Sequence, residues 1–318
     1  IEGFKPIPFF ALSAQVQHAN GTFTANWRPK ADQAGRDSEG RLTDASIAQG
    51  LATRLTGKAA SITKYEKKPG NEHPPLPFSL ATLQKAVNDR YGLGAQQVLD
   101  ICQALYETHK LTTYPRTDCN YLSETDHADA PEIISVVTAN IPELAAVAKK
   151  ADISRKSPAF NDAKITAHHA IVPTTRRADA ATLKDDERKV YDMVVRAYLA
   201  QFFPPSQFLS TDIELTIAGE KFAAKGKTPV SPGWREIYAV PEASAEETAE
   251  ADSDNDDGKQ PLPAMAQGDT AQCRQCNANA RTTKPPPRFT EKLLIAAMLD
   301  IQKYVTDPAA KARLKEGD

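Results

Sequence analysis

The sequence predicts an α+β protein of several domains, in which a mainly helical unit interrupts a β-rich one. Alternation of apolar and polar residues, typical of strands, dominates residues 1–74 and resumes after residue 204, whereas residues 75–203 show helical spacing. Prolines cluster at both junctions, as Pro74-Pro75 and Pro204-Pro205. The 318 residues leave room for two or three compact units. We therefore expect the β-rich segments to form one arch-like domain, from which the helical unit hangs by two crossings.

The first β-rich part, residues 1–74, is expected to open with a hairpin over residues 8–28. Asn20-Gly21, a dipeptide favoured in tight hairpin turns, separates its two alternating runs. Residues 43–55 have helical spacing, with Thr43 or Asp44 as the cap and Gly57 as the stop. A further strand is predicted over residues 59–67.

The helical part, residues 75–203, is predicted to contain four or five helices. One begins at Ser79 and ends at Gly92 or Gly94, and a second follows over residues 95–109. One or two short helices are expected within residues 131–151. A long helix over residues 185–203 then stops at the proline pair.

The second β-rich part, residues 204–284, is expected to contain strands over residues 208–217 and 220–224, joined at Ala218-Gly219. A further strand is predicted over residues 234–240. Residues 241–258 carry too few apolar side chains to pack, so we predict a flexible acidic linker there. The last part, residues 285–318, begins with a predicted helix over residues 290–304.

The charge distribution permits a nucleic-acid partner that the net charge of −2 disfavours. Eight carboxylates and no basic residue lie between Pro241 and Gly258. Removing these eight from the 41 acidic residues leaves 33 against 39 basic ones, a net charge of +6. A mildly basic body can bind a phosphate backbone. The sequence shows no apolar run of membrane-spanning length and no signal segment, so we expect a cytoplasmic protein that binds no membrane. The first residue is Ile1, which suggests part of a longer protein.

Four cysteines are present, two of them in the pattern Cys273-x-x-Cys276. Such a pair is half of a zinc ribbon, but no second pair or spaced histidines lie nearby. Two reduced thiols in a turn is the alternative interpretation, and we assign no metal site to the chain.

Tyr114 and Arg116 form the most informative pair of residues. They flank a proline that restricts the local backbone, and in an extended segment both side chains leave the same face. A phenol beside a guanidinium suits attack on a phosphodiester, because the arginine can bind the non-bridging oxygens and stabilise charge on phosphorus. On spacing alone, a tyrosine that only packs before a turn remains the alternative.

Seven segments in the same order resemble the type IA DNA topoisomerases. They are PFSLATLQ (77–84), LYE (105–107), LTTYPRTD (111–118), AHHAIVPT (167–174), VYD (190–192), PGWR (232–235) and PPRFTE (286–291). The resemblance covers nearly the whole chain. Pro115 after the tyrosine and the doubled histidine are more similar to topoisomerase III than to topoisomerase I.

The resemblance implies roles for individual residues. Tyr114 matches the nucleophile that forms a 5′-phosphotyrosyl link to one DNA strand, and Arg116 matches the arginine that assists cleavage. The resemblance further implies DNA-binding or assisting positions, which are His168, His169, Thr117, Gln84 and Ser79. For the histidines and Gln84, a purely structural role is the alternative. The implied architecture is a β-rich arch domain, an inserted helical active-site domain and, from residue 285, the start of a helical strand-binding domain.

The resemblance also implies what this chain lacks. Type IA enzymes place an acidic Mg²⁺-binding domain upstream, and no such segment is present, so we expect Mg²⁺ to serve the full enzyme and no cofactor to bind here. The expected partner is single-stranded DNA and the expected state a monomer. The alternative function is a single-stranded DNA-binding fragment without catalysis. A tyrosine recombinase is disfavoured because Tyr114 precedes His168, and a phosphate loop because six residues, not four, separate Gly219 from Gly226.

Overall fold

The structure, a computed structural model, describes residues 3–178, 182–241 and 260–316. Apart from Pro241 and Gln260, the predicted acidic linker and its flanks lie outside the described residues. The described chain forms two compact units of mixed helix and antiparallel sheet, which confirms the α+β class. One unit takes residues up to 71, residues 207–231 and the stretch that ends at residue 287, and the other takes the remainder.

Six strands form a closed barrel in the first unit, in the order β1-β2-β5-β4-β3-β6. The strands are β1 (Pro8–His18), β2 (Gly21–Arg28), β3 (Ala59–Glu72), β4 (Ser206–Ile217), β5 (Glu220–Ser231) and β6 (Thr270–Thr282). The order around the barrel differs from the order in the sequence, because β5 and β4 lie between β2 and β3. Their inward side chains, among them Val16, Phe23 and Phe222, make an apolar core against which helix α1 (Ala45–Leu55) packs.

The predicted hairpins are confirmed. β1 and β2 pair from Ser13–Asn26 to His18–Gly21 around the expected turn. β4 and β5 pair up to Ile217–Glu220, and the two turn residues Ala218 and Gly219 have φ values of 46° and 83°. Positive φ at both central residues gives a turn whose twist matches that of the strands, so tight pairing continues to its edge.

The sequence analysis did not predict β6, and the thiols of Cys273 and Cys276 lie in this strand, not in a turn. Residues three apart in a regular strand point to opposite faces. Here the register with β1 shifts between Gln15 and Val16, and this irregularity lets both cysteines be buried. Burial raises the pKa of both thiols, and the nearby Cys273 charge adds to the effect on Cys276, whose pKa is about 11. Both are therefore protonated thiols of the barrel core.

Helices dominate the second unit. They are α2 (Leu80–Tyr91), α3 (Ala95–Gln103), α4 (Ala130–Asn140), α5 (Ala145–Ala148), α6 (Asp185–Leu199), α7 (Arg235–Tyr238), α8 (Glu291–Leu299) and α9 (Pro308–Glu316). The predicted limits of α2 are confirmed: Ser79 caps its first turn and Gly92 ends it with a left-handed φ of 71°. α3 continues into a π-helical turn, Ala104–Thr108, and α6 contributes six side chains to the apolar core of this unit.

The predicted strand over residues 234–240 is wrong. This segment forms the short helix α7 within the helical unit, so it interrupts the second β-rich part between β5 and β6. Its anchors are polar: the Trp234 indole donates to the Glu72 carbonyl at 2.9 Å, and the buried Arg196 donates to the carbonyls of Ile237 and Val240 at 2.6 and 2.8 Å. The hydrogen bonds from the Arg196 guanidinium to these carbonyls are buried and charge-assisted. They stabilise the helical conformation of a short segment whose apolar spacing does not predict a helix.

α8 lies in the same compact unit as the other helices. The Glu291 carboxylate accepts the Ala95 backbone N–H at 2.8 Å, at the start of α3, and Lys292 pairs with Asp89 of α2. The predicted helix from Thr290 is confirmed, with Thr290 as its cap. Among the described residues, a new unit begins at residues 72, 207, 232 and 288.

No single helix in the described ranges is long and apolar enough to cross a membrane. The bent pair Asp126–Asn140 and Pro142–Ala148 meets that criterion by length and composition when taken together.

Candidate active site

The segment that carries Tyr114 is held on both sides by backbone hydrogen bonds. Thr113 donates its backbone N–H to the Val172 carbonyl at 3.0 Å, and Thr174 donates to the Leu111 carbonyl at 3.0 Å. The Thr113 hydroxyl spans the same gap, donating to the Ala170 carbonyl at 3.1 Å. These hydrogen bonds place the motif at residues 111–118 next to the motif at residues 167–174, although the two are distant in sequence.

Exposure alternates along residues 114–119. Tyr114, Arg116 and Asp118 are exposed, whereas Pro115, Thr117 and Cys119 are buried. Tyr114 itself is 37% exposed, which is sufficient for its hydroxyl to meet a ligand. The phenol and the guanidinium therefore leave the same side of the segment, as their two-residue spacing predicts.

His168 lies against the Tyr114 ring. The ring centroids are 4.6 Å apart with the planes tilted by 43°, and the imidazole is exposed. Thr117 helps to position His168, because its buried hydroxyl donates a hydrogen bond to the His168 carbonyl at 3.3 Å. Within the described residues, no group hydrogen-bonds the Tyr114 hydroxyl, and the side chain as a whole is exposed.

The structure adds Tyr106 and Lys110, to which the sequence analysis gave no role. The Tyr106 ring meets Tyr114 edge-on, with centroids 5.8 Å apart and planes at 84°, and the Lys110 ammonium lies 5.7 Å from the Tyr106 ring centroid. Tyr106 belongs to the π-helical turn, a feature frequent at functional sites. Lys110 has a φ of 57°, unusual for a residue other than glycine, and Thr174 donates its hydroxyl to the Lys110 carbonyl at 2.6 Å.

The remaining predicted site residues differ in their placement. His169 is half-buried and donates from Nδ1 to the Ala170 carbonyl at 2.8 Å. Ser79 is buried and caps α2, so its hydroxyl is engaged at the start of that helix. Gln84 donates to the Ala95 carbonyl at 2.9 Å, which ties α2 to α3. Thr117 positions His168 rather than facing solvent.

We expect Tyr106→Ala to slow any reaction at Tyr114 about tenfold, because loss of the edge contact frees the phenol to leave its attacking position. Tyr106→Phe keeps the ring and should retain the wild-type rate. Single-turnover rates of the two variants provide the measurement. Equal losses in both would show that the hydroxyl, not the ring contact, matters.

Mg²⁺, which the family resemblance implies for the full enzyme, does not fit the described residues. Within residues 3–178, 182–241 and 260–316, no group of three or more His, Cys, Asp or Glu side chains is arranged to hold a metal ion. The acidic run at 252–257 lies outside the described residues. We therefore assign none of the described residues to the metal.

Comparisons with known proteins agree on one family. A family model described as DNA topoisomerase matches residues 1–302. DNA topoisomerase 3 of Vibrio cholerae is 38% identical over 325 residues, and DNA topoisomerase 3 of Salmonella typhimurium is 39% identical over 320. Each alignment covers 100% of this chain and 48% of the relative, so the chain spans about half the length of these relatives.

A solved structure shows the same fold. Full-length topoisomerase I from Thermotoga maritima superposes with a TM-score of 0.64 at 19% identity, over 99% of this chain and 47% of that one. At this identity the likeness concerns the fold alone.

Proposed function

Because this chain belongs to the DNA topoisomerase family, we propose that it supplies the strand-cleaving tyrosine of a type IA enzyme of the topoisomerase III kind. The carrying observation is the side-by-side placement of Tyr114 and His168, with Arg116 exposed on the same side of the segment. The proposed activity is cleavage and rejoining of one DNA strand, which changes DNA topology without ATP.

In the proposed reaction, the Tyr114 oxygen attacks a backbone phosphorus. A bond forms between that oxygen and phosphorus, and the bond from phosphorus to the 3′-oxygen breaks, leaving a free 3′-hydroxyl and a 5′-phosphotyrosyl link. The phenolic proton leaves as the bond forms, and the departing 3′-oxygen gains one. Attack by the 3′-hydroxyl on the phosphotyrosine reverses every step, so no energy source is consumed.

Arg116 is suited to bind the non-bridging phosphate oxygens. Its guanidinium is always charged and presents donors in a fork that matches two oxygens at once. Charge builds on those oxygens as phosphorus becomes five-coordinate, so the arginine stabilises the transition state more than the ground state.

His168 has two proposed tasks. Its ring limits the rotation of the Tyr114 phenol, and its exposed edge can donate a hydrogen bond to a phosphate of the bound strand. The buried Thr117 hydroxyl, bonded to the His168 carbonyl, keeps this ring in place.

Several finer assignments belong to the same proposal. We infer that the barrel corresponds to the arch domain of the family, and that residues from 285 begin its strand-binding domain. We expect single-stranded DNA as the substrate, a monomer as the working state, the bacterial cytoplasm as the location, and Mg²⁺ as a cofactor held by other residues of the full enzyme.

The product of the complete reading frame, incubated with a 3′-labelled oligonucleotide and Mg²⁺ and then denatured, tests the proposal. The label should migrate with the protein, because the fragment downstream of the break carries the 5′-phosphate. Transfer of a 5′ label instead would contradict the stated polarity. If the chain binds the oligonucleotide but no label is ever transferred, the non-catalytic binding function is correct.

We expect Arg116→Ala to lower the rate of adduct formation about a hundredfold, since removal of one transition-state donor typically costs this much. Arg116→Lys keeps the charge but not the fork and should recover only part of the rate. Rapid-quench measurement at saturating oligonucleotide gives both values. A wild-type rate for Arg116→Ala would remove the arginine from the reaction.

A further inference from the structure

The barrel unit contains a groove that the proposed reaction does not use. It has a volume of about 650 Å³ and is lined by β1, β2, β6 and residues of the loop that follows β2. Three arginines, Arg28, Arg41 and Arg281, contribute to its wall, and none of the lining residues that the structure describes is acidic. The described wall therefore carries only positive charge, although the whole chain has a net charge of −2. Such a wall favours a negatively charged ligand.

Two of the arginines are available to a ligand. Arg41 pairs with Asp37 at 2.7 Å, whereas Arg28 and Arg281 are exposed and make no ion pair or side-chain hydrogen bond within the described residues. Arg281 stands directly opposite Phe9 in the pairing of β6 with β1. A guanidinium beside a half-exposed aromatic ring offers both a phosphate contact and a stacking face.

The groove is held in shape before any ligand arrives. Gln260 closes one side, because its amide accepts from Thr24 N–H at 3.0 Å and donates to the Thr24 carbonyl at 2.7 Å. Asn279 donates to the Ser13 hydroxyl at 2.9 Å across the floor. Preformed walls reduce the ordering cost of binding.

From these observations we infer that this groove binds a single strand of DNA through its phosphates and unpaired bases, as a contact region separate from Tyr114. Phosphates would meet Arg28 and Arg281, and a base would stack on Phe9, the ring that lies beside Arg281. The aromatic faces decide between single strand and duplex, since a duplex presents no free base face. Three neighbouring strands also span only about 10 Å, a width suited to one strand of nucleic acid. The inference rests on the proposed function only in taking DNA as the ligand.

The test combines photocrosslinking with affinity measurement on the complete chain carrying Tyr114→Phe, which prevents covalent reaction. An oligothymidylate that contains 5-iododeoxyuridine should crosslink to the peptide with Phe9 and Phe10. Arg28→Ala with Arg281→Ala should weaken binding about tenfold in fluorescence anisotropy. It should also reduce the slope of log affinity against log salt by about 1.4, as expected for two lost contacts to a single strand.

The matched control is Lys58→Ala with Arg274→Ala, which removes two exposed charges from the same barrel outside the groove. It should keep the affinity within about twofold. Asn279→Glu, which adds a negative charge to the wall, gives an independent variant and should weaken binding as well. Unchanged binding in both groove variants, or an equal loss in the control, would overturn the inference.

Two further outcomes separate the alternatives. Displacement of the crosslink by equimolar thymidine monophosphate would overturn the strand assignment in favour of a mononucleotide site. Crosslinks confined to residues around Tyr114 would overturn the groove while leaving the proposed function intact. A crosslink at Phe9, together with no tyrosine adduct from the protein that retains Tyr114, would uphold the groove and sink the proposed reaction instead.

Discussion

Tyr114→Phe is expected to abolish both the covalent DNA adduct and relaxation of supercoiled DNA. The substitution keeps the ring that packs edge-on to Tyr106 and against His168, and removes only the attacking oxygen. The backbone hydrogen bonds that hold the segment are untouched. The loss should therefore be complete in chemistry and absent in DNA affinity, which is the signature of a removed nucleophile.

Tyr121→Phe is the matched control for that prediction. Tyr121 is a half-exposed tyrosine close in sequence whose hydroxyl accepts from the Lys164 ammonium at 3.1 Å, and it makes no ring contact with Tyr114. The control should retain relaxation within about twofold, as expected for a surface change away from special features. The complete-reading-frame protein with Mg²⁺ is the material for both assays. Relaxation by the Tyr114→Phe protein would refute the proposed function.

Arg196→Ala is expected to lower the free energy of unfolding of the helical unit by about 3–5 kcal/mol. Arg196 is 2% exposed, pairs with Asp192 at 2.5 Å, and donates to the carbonyls of Ile237 and Val240. Truncation leaves a buried carboxylate without this partner and two carbonyls without their donor. Urea unfolding followed by far-ultraviolet circular dichroism measures the loss.

Lys189→Ala provides the comparison on the same helix. Lys189 and Asp185 form a pair with the same four-residue spacing, but the Asp185 side chain is 64% exposed. Solvent screens such a pair, so its removal should cost less than about 1 kcal/mol. Similar losses in the two variants would mean that burial of the Arg196 pair contributes nothing to the stability of the unit.

Elements with strong local signals were predictable from the sequence. Caps, stops and turn residues such as Asp44, Ser79 and Gly219 act on their immediate neighbours, and the structure places each one at the expected boundary. The hairpins followed from the same kind of signal. Local chemistry therefore predicts local structure.

Elements that depend on distant partners were not predictable. β6 carries small and polar residues on both faces, and its pairing with β1 and β3 determines its conformation. The segment 234–240 has strand-like spacing but is held as a helix by Arg196, a residue of another helix. Neither cause is visible within a window of neighbouring residues.

The candidate site shows the same division. The spacing of Tyr114 and Arg116 predicted their common side, and the structure places both on it. Tyr106 approaches Tyr114 only because a π-helical turn and a left-handed Lys110 reverse the chain between them. That conformation is unusual for lysine, so sequence propensity argues against it.

The barrel pairs strands that lie far apart in the sequence, and this has a consequence for biosynthesis. The Ile7 backbone N–H bonds to the Thr283 hydroxyl, 276 residues away. At about 5–20 residues per second, the first hairpin leaves the ribosome roughly 15–50 seconds before its last partner strand. Until then the edge strands of this hairpin expose unpaired N–H and C=O groups, which can pair with strands of other chains. Most of the helical unit, residues 72–206, precedes β6 in the chain and can fold by that time, whereas α8 and α9 follow β6. The nascent protein is thus most exposed to aggregation during translation of its middle, and the last strand to emerge ends that exposure.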